Sequence, residues 1–430
     1  MELIANKDLL IKMIVGRYVQ LDSAQDKRNI VDTRCTNAAP MTPDLALRHC
    51  LTRAGLGGIA DSQAIAEAFT QVQRESLFTV CRNKTYIPQP VENWFTSSYA
   101  VIEKQGYNYL NNWRKPDWLI EVGKDISPFL ELLERMFPSE KERLHILKWL
   151  YMLVFHPEKK SWAPVLIGPQ GTGKSLFLQT AKKLVGESNC YITANHKAVV
   201  GGFNAVWMDT VLVGIEEVKN VDNPLKFANQ LKLYISDIEQ AGERKGSDIE
   251  RFNCYSKVAI CSNADLPFPI EGDDRRFSIF RVEHKENAEE TKGFGRKYSE
   301  WLNDQEAYAI DSIANWLLKN VGPIVKVSEW SVNAPLTDTK QEVIEASKPE
   351  WKVRVDEFLE ERIAVSLKDL EERVDVKPRT IATYLQHHHG ATKWDKRPEQ
   401  RGQKHTVYVL PTGTHLLNDE KKLKAEVFKV

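Results

Sequence analysis

Long apolar runs are missing from this chain of 430 residues. No stretch approaches the roughly 20 apolar residues that a membrane-spanning helix requires. The N-terminus also lacks the pattern of a secretory signal peptide, because acidic residues and Lys12 interrupt its apolar run before a hydrophobic segment can form. We therefore expect a protein of the cell interior with no membrane partner.

Net charge is absent as well, since 59 Lys and Arg residues balance 59 Asp and Glu residues. Any contact with nucleic acid must then come from local basic patches and not from a global field. The six cysteines form no Cys-x-x-Cys pair and no zinc-type spacing with histidine, which indicates buried, reduced thiols. The length suggests about two to three domains.

A phosphate-binding loop is the most specific motif that is present. Its eight positions follow an apolar strand and open a helix: Gly168, Pro169, Gln170, Gly171, Thr172, Gly173, Lys174 and Ser175. Glycines let consecutive backbone N–H groups wrap an anionic oxygen, and the helix directs its positive end at the same phosphates. Lys174 can reach the β- and γ-phosphates of ATP, and the Ser175 hydroxyl can take one site on Mg²⁺. The alternative is a glycine-rich turn that matches by chance, but the flanking strand and helix favour nucleotide binding.

A second apolar strand, residues 210–215, ends in two carboxylates, Glu216 and Glu217. The first can order the water shell of Mg²⁺, and the second can activate the attacking water. Strands often end in acidic residues, so this signal is weak alone. Its place after a phosphate-binding loop makes the functional interpretation the stronger one.

A third strand, residues 256–262, ends at Asn263, whose amide can bind the nucleophilic water or a γ-phosphate oxygen. The alternative is that this asparagine only starts a turn. Further along, Arg275 and Arg276 precede another apolar strand and could supply a positive finger to the γ-phosphate of a neighbouring subunit. A surface ion pair with Asp273 and Asp274 explains them equally well.

The C-terminal residues 349–430 predict a winged helix, with three helices followed by a hairpin, and Ser366 is placed to cap the second helix. Basic residues concentrate between Lys377 and His405, and we expect them to contact nucleic acid: Arg379, Lys393, Lys396, Arg397, Arg401 and Lys404. A protein-docking module of the same fold is the alternative.

Together these motifs resemble the superfamily 3 helicases, the hexameric ring ATPases of small DNA viruses, phages and mobile elements. The order is phosphate-binding loop, acidic strand, basic hairpin segment, strand ending in Asn263, and distal arginine. The phage and plasmid primase–helicases are the most similar group, because Asn111-Asn112-Trp113 and a helical collar at 125–155 precede the loop.

By position, the resemblance implies phosphate and Mg²⁺ contacts for Lys174 and Ser175. It implies metal binding and base catalysis for Glu216 and Glu217, although aspartate is commoner than glutamate at the first position. Asn263 falls at the sensor position. Arg276 is the better finger candidate, and Arg275 is its reserve.

Residues 242–247 correspond to the hairpin that lines the central channel in this family, which makes Arg244 and Lys245 candidate contacts to DNA. Polyomavirus and papillomavirus members carry a Lys–His pair at this tip, whereas this chain has Lys245-Gly246. A lysine ring suits a channel that must both hold and release phosphates. The alternative is a solvated loop charge.

The expected fold is α/β: a helical N-terminal region (1–75), a mixed region with a helical collar (76–155), a P-loop AAA+-like core with a parallel sheet (156–320), a linker with a helix (321–348) and a winged helix (349–430). The expected function is an ATP- and Mg²⁺-dependent replicative helicase of a phage or mobile element. It would form a homo-oligomeric ring, a hexamer, and move 3′ to 5′ on single-stranded and forked DNA in the cytoplasm of a bacterial host. No primase site is visible before residue 150, so any primase or polymerase activity is expected on a separate chain or on a missing portion. The alternative is an ATP-regulated, origin-binding initiator that does not translocate.

Overall fold

The computed structural model describes residues 6–22, 29–33, 40–52, 56–57, 61–94, 100–118, 123–200, 205–218, 221, 223–243, 250–283, 288–360, 362–400 and 402–428. The chain divides into two compact units, Met1–Val343 and Ile344–Val430. Among the described residues, no helix is both long and apolar enough to cross a membrane.

The N-terminal part of the first unit mixes helices with short strands. Its elements are α1 (Lys7–Arg17), β1 (Tyr18–Leu21), β2 (Ile30–Asp32), α2 (Pro43–Cys50), α3 (Ser62–Arg74) and β3 (Thr79–Cys81). Strand β1 pairs antiparallel with β2 and parallel with β3. The sequence predicted a mainly helical region here. Strands β1 and β2 were not predicted. They are only four and three residues long, and their conformation depends on pairing with other strands.

A second small sheet and two helices follow. They are β4 (Asn83–Thr85), β5 (Val101–Lys104), β6 (Tyr107–Asn111), α4 (Ser127–Met136) and α5 (Glu140–Phe155). Strand β6 lies between β4 and β5. Helices α4 and α5 lie in the segment 125–155, where the sequence predicted a helical collar. They bury Phe129, Met136 and Trp149 in the largest hydrophobic core of the chain.

A five-stranded parallel sheet organises the rest of the first unit. Its chain segment contains β7 (Ala163–Ile167), α6 (Lys174–Val185), β8 (Cys190–Thr193), α7 (Lys197–Val200), β9 (Leu212–Ile215), α8 (Pro224–Ser236), β10 (Glu239–Gly242), β11 (Glu250–Asn253), β12 (Lys257–Ser262), β13 (Phe277–Arg281), α9 (Ala288–Asn303) and α10 (Ala309–Trp316). The strand order is β13-β7-β12-β9-β8, and every neighbouring pair is parallel. Strands β7, β12 and β9 are therefore adjacent, and their carboxyl ends meet at one edge of the sheet.

Strands β10 and β11 form a separate antiparallel hairpin inserted between α8 and β12. Its base pairs Glu239 with Asn253, and its last described pair is Gly242 with Glu250. Strands β10 and β11 flank the segment 242–247 in which the resemblance placed a hairpin, and Arg244 and Lys245 lie outside the described residues.

Part of the segment that we expected to be a linker with a helix, 321–348, lies against β13 and the residue before β7. Trp330 packs on Trp162 with 6.4 Å between ring centroids, and the Ser278 hydroxyl donates to the carbonyl of Pro335 at 2.8 Å. The Thr337 hydroxyl donates to the carbonyl of Ile279. The division between the two units falls inside α11 (Asp338–Ala346).

The second unit is built on its own hydrophobic core. Its elements are α12 (Glu350–Leu359), β14 (Ala364–Ser366), α13 (Leu367–Glu371), α14 (Pro378–His388), β15 (Thr392–Lys393), β16 (Glu399–Gln400), β17 (Gln403–Lys404), β18 (Val407–Val409) and α15 (Glu420–Val427). Strand β18 pairs antiparallel with β14 and β15, and β16 with β17 forms a small hairpin. Ser366 precedes α13 but does not cap it, because its hydroxyl is hydrogen-bonded to Nδ1 of buried His405 at 2.8 Å.

Candidate nucleotide-binding site

Three neighbouring strands deliver the predicted nucleotide-site residues to one edge of the sheet. The phosphate-binding loop follows β7, the two glutamates follow β9 and Asn263 follows β12. Two backbone hydrogen bonds tie these strand ends together: Gly168 N donates to the carbonyl of Ser262 at 3.1 Å, and Val218 N donates to that of Cys261 at 3.1 Å. The result is a cleft of about 430 Å³. It is lined by Gln170, Gly171, Gly173, Lys174, Ser175, Glu216, Glu217 and Asn263, among others.

The loop conformation depends on glycine. Gly168, Gly171 and Gly173 have φ angles of 146°, 80° and 94°, a region that side chains disfavour. A Cβ atom at position 168 would lie 2.0 Å from the carbonyl oxygen of Val282, and one at position 173 would lie 2.9 Å from a methyl of Leu132. The backbone is thus held in a cradle that only glycine allows at these positions.

Lys174 is folded back onto this cradle. Its ammonium donates to the carbonyl oxygens of Gly168 and Pro169 at 2.7 Å each, and to the Thr172 hydroxyl at 3.2 Å. Burial lowers the pKa of Lys174, and the proximity of Cys261 partly opposes this shift. A buried cation held by loop carbonyls is positioned to exchange these oxygens for those of an anionic ligand.

The carboxylates differ in their surroundings. Glu216 is half-buried, and its backbone N–H donates to the carbonyl of Thr193 at 2.8 Å. Glu217 is exposed and has a φ of 54°, the left-handed region that glutamate rarely adopts. Such a backbone conformation is retained where the surrounding structure enforces it, often at functional sites. Ser175 is exposed on the first turn of α6, and Asn263 is half-buried.

Helix α9 adds two residues that the sequence analysis missed, Thr291 and Lys292, which line the same cleft. Lys292 is exposed. No local motif marks this position, and it lies far from the loop in sequence. Only the packing of α9 against α6 and α4 brings a second lysine to the cleft.

Arg275 and Arg276 do not join this cleft. They precede β13, whose first residue, Phe277, pairs with Ala163, the first residue of β7. They therefore lie at the amino edge of the sheet, roughly 15 Å along the strands from the loop. Arg276 donates from Nε to the Ser236 hydroxyl at 2.5 Å, and Arg275 is exposed. The alternative prediction was an ion pair between the arginines and aspartate. Arg276 does contact Asp274, but through its backbone N–H, which donates to the carboxylate at 2.8 Å, and not through its guanidinium.

The basic residues predicted in the second unit are mostly exposed. Arg379 lies at the start of α14, Lys393 on β15 and Lys404 on β17, while Arg397 precedes β16. Lys396 pairs with Glu420 at 2.7 Å, and this hydrogen bond raises the pKa of Lys396. Arg401 lies outside the described residues.

Part of this chain is similar to known proteins. Residues 166–276 match a family of unknown function, DUF5906. The DNA primase-polymerase of Nitratiruptor phage NrS-1 is 27% identical over 232 residues, which cover 52% of this chain and 30% of that protein. The chain therefore spans less than a third of this relative's length.

Solved structures of the NrS-1 C-terminal region share the fold. One apo structure has a TM-score of 0.58 at 16% identity and covers 95% of this chain and 99% of the other. An A-form apo structure has a TM-score of 0.53 at 17% identity, covering 82% and 91%. The chain is thus similar in sequence to a phage DNA primase-polymerase and similar in fold to the NrS-1 C-terminal region.

Proposed function

We propose that this chain is an ATP-driven replicative helicase of a phage or mobile element, with a P-loop AAA+-like core. The observation that carries the proposal is the convergence of Lys174, Glu216, Glu217 and Asn263 on one cleft at the carboxyl edge of a parallel sheet. Proteins with an open parallel α/β sheet bind their ligands at the carboxyl ends of the strands. The similarity to a phage DNA primase-polymerase supports a role in phage DNA replication.

The cleft fits ATP with Mg²⁺. Its volume of about 430 Å³ lies in the range of small-molecule sites, and its glycine cradle leaves no space for a side chain where phosphates would bind. Lys174 would bind the phosphates, and Ser175 with Glu216 would hold the metal ion. Mg²⁺, when bound, supplies positive charge to the β- and γ-phosphates. Glu217 would accept a proton from the attacking water, and Asn263 would orient that water.

The position of the arginines supports a site shared between subunits. Arg275 and Arg276 lie at the edge of the sheet opposite the loop, so they cannot complete the ATP site of their own chain. A head-to-tail ring would bring this edge of one subunit to the loop edge of the next. Arg276, with Arg275 in reserve, would act in trans as the finger within a hexamer.

DNA would be engaged by two parts of the chain. The β10–β11 hairpin presents the segment that contains Arg244 and Lys245, and translocation would proceed 3′ to 5′ on single-stranded or forked DNA. We infer that the second unit is a winged helix. The order helix, strand, helix, helix and antiparallel strands supports this inference, and so do the exposed cations on α14, β15 and β17. Priming would reside on a separate primase or polymerase, or in a portion outside this sequence.

A second candidate is an ATP-regulated, origin-binding initiator that assembles on DNA without translocating. The exposed basic residues of the second unit favour it, because a winged helix can bind duplex DNA on its own. Substitution of Lys245 separates the two candidates. If the chain is a helicase, the Lys245 variant should lose unwinding. If it is an initiator, the Lys245 variant should open DNA strands as the unsubstituted protein does, and substitutions of Arg379 and Lys393 should remove origin binding.

The test of the proposed function is the Lys174→Ala variant. Removing this cation should lower ATP hydrolysis on the order of 10²–10³-fold, as the loss of one preorganised charge-stabilising group does, and should abolish unwinding of a forked duplex. Lys183→Ala, at the far end of the same helix, is the matched control and should keep both activities. Unwinding by Lys174→Ala at the rate of the unsubstituted protein would refute the assignment.

A further inference from the structure

A second polar cleft lies in the first unit, away from the ATP site. It has a volume of about 290 Å³, and its lining comes from β4, β5, the turn before β9 and the base of the β10–β11 hairpin. Met208 and Asp209 precede β9, and Asn253, the last residue of β11, lies four positions before the first residue of β12. The cleft is therefore at the amino edge of the parallel sheet, opposite the phosphate-binding loop.

Three cations line this cleft, Lys84, Lys104 and Arg251, against two acidic residues, Asp209 and Glu239. Burial lowers the pKa of both lysines, although nearby Asp209 partly opposes the shift for Lys84. Removing cations from water is unfavourable unless an anion accompanies them. A bound anion would oppose this shift, because it stabilises the charged form of each lysine.

The cleft also presents uncharged polar groups. Asn112 Oδ1 is buried there without a hydrogen-bond partner. The Lys104 ammonium donates to the Thr85 hydroxyl at 3.4 Å, which places a hydroxyl beside the cation. Phe252 is half-buried in the lining next to Arg251. Cations, an amide and an aromatic ring are the groups that hold one unit of a single strand, its phosphate and its base.

We propose that this cleft binds a phosphate of single-stranded DNA and forms a second contact on the strand that passes the hairpin. The inference rests on the proposed helicase function. It assigns a role to a cleft that has no part in that proposal. The hairpin itself supplies the continuity: Arg251, Phe252 and Asn253 lie at its base, and β10 leads to the segment that carries Lys245. The volume accommodates about one nucleotide unit, so the strand is gripped at the cleft and not enclosed by it.

The test measures binding of a fluorescently labelled oligothymidylate, by anisotropy, across a series of salt concentrations with a non-hydrolysable ATP analogue present. Lys104→Ala and Arg251→Ala should each weaken binding about 3- to 10-fold at low salt. Each should also reduce the slope of log affinity against log salt by about 0.7, the value for one lost phosphate contact on a single strand. In the double variant the slope should fall by about twice that amount, and adding Lys245→Ala should reduce the slope further.

Matched controls separate charge from structure. Lys141→Ala and Arg74→Ala remove exposed cations elsewhere in the same unit and should leave affinity and slope unchanged. Lys104→Arg keeps the charge and should restore the slope. Since Lys104 and Arg251 are both exposed, their alanine variants should keep the thermal unfolding midpoint of the unsubstituted protein.

The outcomes are distinct. If the unsubstituted protein binds the strand and the Lys104 and Arg251 variants match it in affinity and slope, the cleft proposal is overturned and the helicase proposal stands. If these variants bind the strand normally but lose binding of a fluorescent mononucleotide, the cleft is a nucleotide site and the strand assignment is overturned. If the unsubstituted protein binds no single strand, both proposals fall.

Discussion

The ammonium of Lys174 donates a hydrogen bond to the carbonyl oxygen of Gly168 across 2.7 Å, from the end of the loop to its beginning. This bond closes the cradle on itself, since Gly168 is also joined through its N–H to Ser262 on β12. The loop is thus pre-shaped by its own lysine and by the neighbouring strand. Binding of a polyphosphate would exchange loop carbonyls for phosphate oxygens around the same cation.

Replacing Gly168 with alanine should destabilise the first unit by about 3 kcal/mol or more, because the new Cβ would lie 2.0 Å from the carbonyl oxygen of Val282 at a φ of 146°. Denaturant unfolding followed by tryptophan fluorescence measures the change. Gly293→Ala on α9 is the control, since no atom lies within 4 Å of its added Cβ, and it should be neutral or slightly stabilising. Equal stability of the two variants would contradict the described loop packing.

Lys292→Ala should raise the KM for ATP about 3- to 10-fold with a smaller effect on kcat, because an exposed cation at the cleft mouth contributes modestly to binding a polyanion. Steady-state hydrolysis measures both constants. Lys297→Ala, on an exposed position of the same helix, should behave like the unsubstituted protein. Identical KM values for Lys292→Ala and Lys297→Ala would remove Lys292 from the site.

Arg276→Ala and Lys174→Ala should each be inactive alone but recover hydrolysis when mixed. In a ring with one loop and one finger at each interface, random mixing restores about one quarter of the interfaces. Arg275→Ala in the same assay identifies which arginine acts. No recovery after subunit exchange would show that the arginines do not act between subunits.

Lys257 is buried at the start of β12, and burial lowers its pKa from 10.5 to about 7. Below pH 7 the folded and unfolded chains both hold the proton, so the folded chain carries the full desolvation cost, roughly 5 kcal/mol. Between pH 7 and 10.5 the folded chain has released the proton, and stability rises with pH. Lys257→Met should therefore gain stability relative to the unsubstituted protein as the pH is lowered from 9.5 to 7.

Denaturant unfolding at these two pH values measures the difference. The Met side chain leaves the carbonyls of His156 and Pro157 without the Lys257 amino group, whose Nζ donates to them at 3.3 and 3.1 Å. That loss does not depend on pH, so only the change between the two pH values is diagnostic. A stability difference that stays constant from pH 7 to 9.5 would contradict the lowered pKa.

The sequence predicted best the elements with a strong local signal. Strands β7, β9 and β12 are apolar runs that end in glycine, glutamate or asparagine, and parallel pairing places those ends together. Helices α4 and α5 lie where a helical collar was expected, at 125–155. The last strand predicted for the C-terminal residues is present as β18.

The rest depended on tertiary contacts. Strand β14 has only three residues, and the pairing with β18 decides its conformation. Ser366 has a good capping sequence, but the buried ring of His405 competes for its hydroxyl. Lys292 reaches the cleft at the phosphate-binding loop through helix packing, and the Lys104–Arg251 cleft joins residues as far apart in sequence as Lys84 and Asn253. Contacts of this kind produce no periodic pattern of apolar residues, so they cannot be predicted from a single sequence.

The most direct test of the central claim is the rate of ATP hydrolysis by the full chain with and without single-stranded DNA. A motor that couples the Lys174 site to a strand passing the hairpin should hydrolyse ATP faster when the strand is present, and the increase should vanish in Lys245→Ala. A rate that single-stranded DNA leaves unchanged would contradict the account.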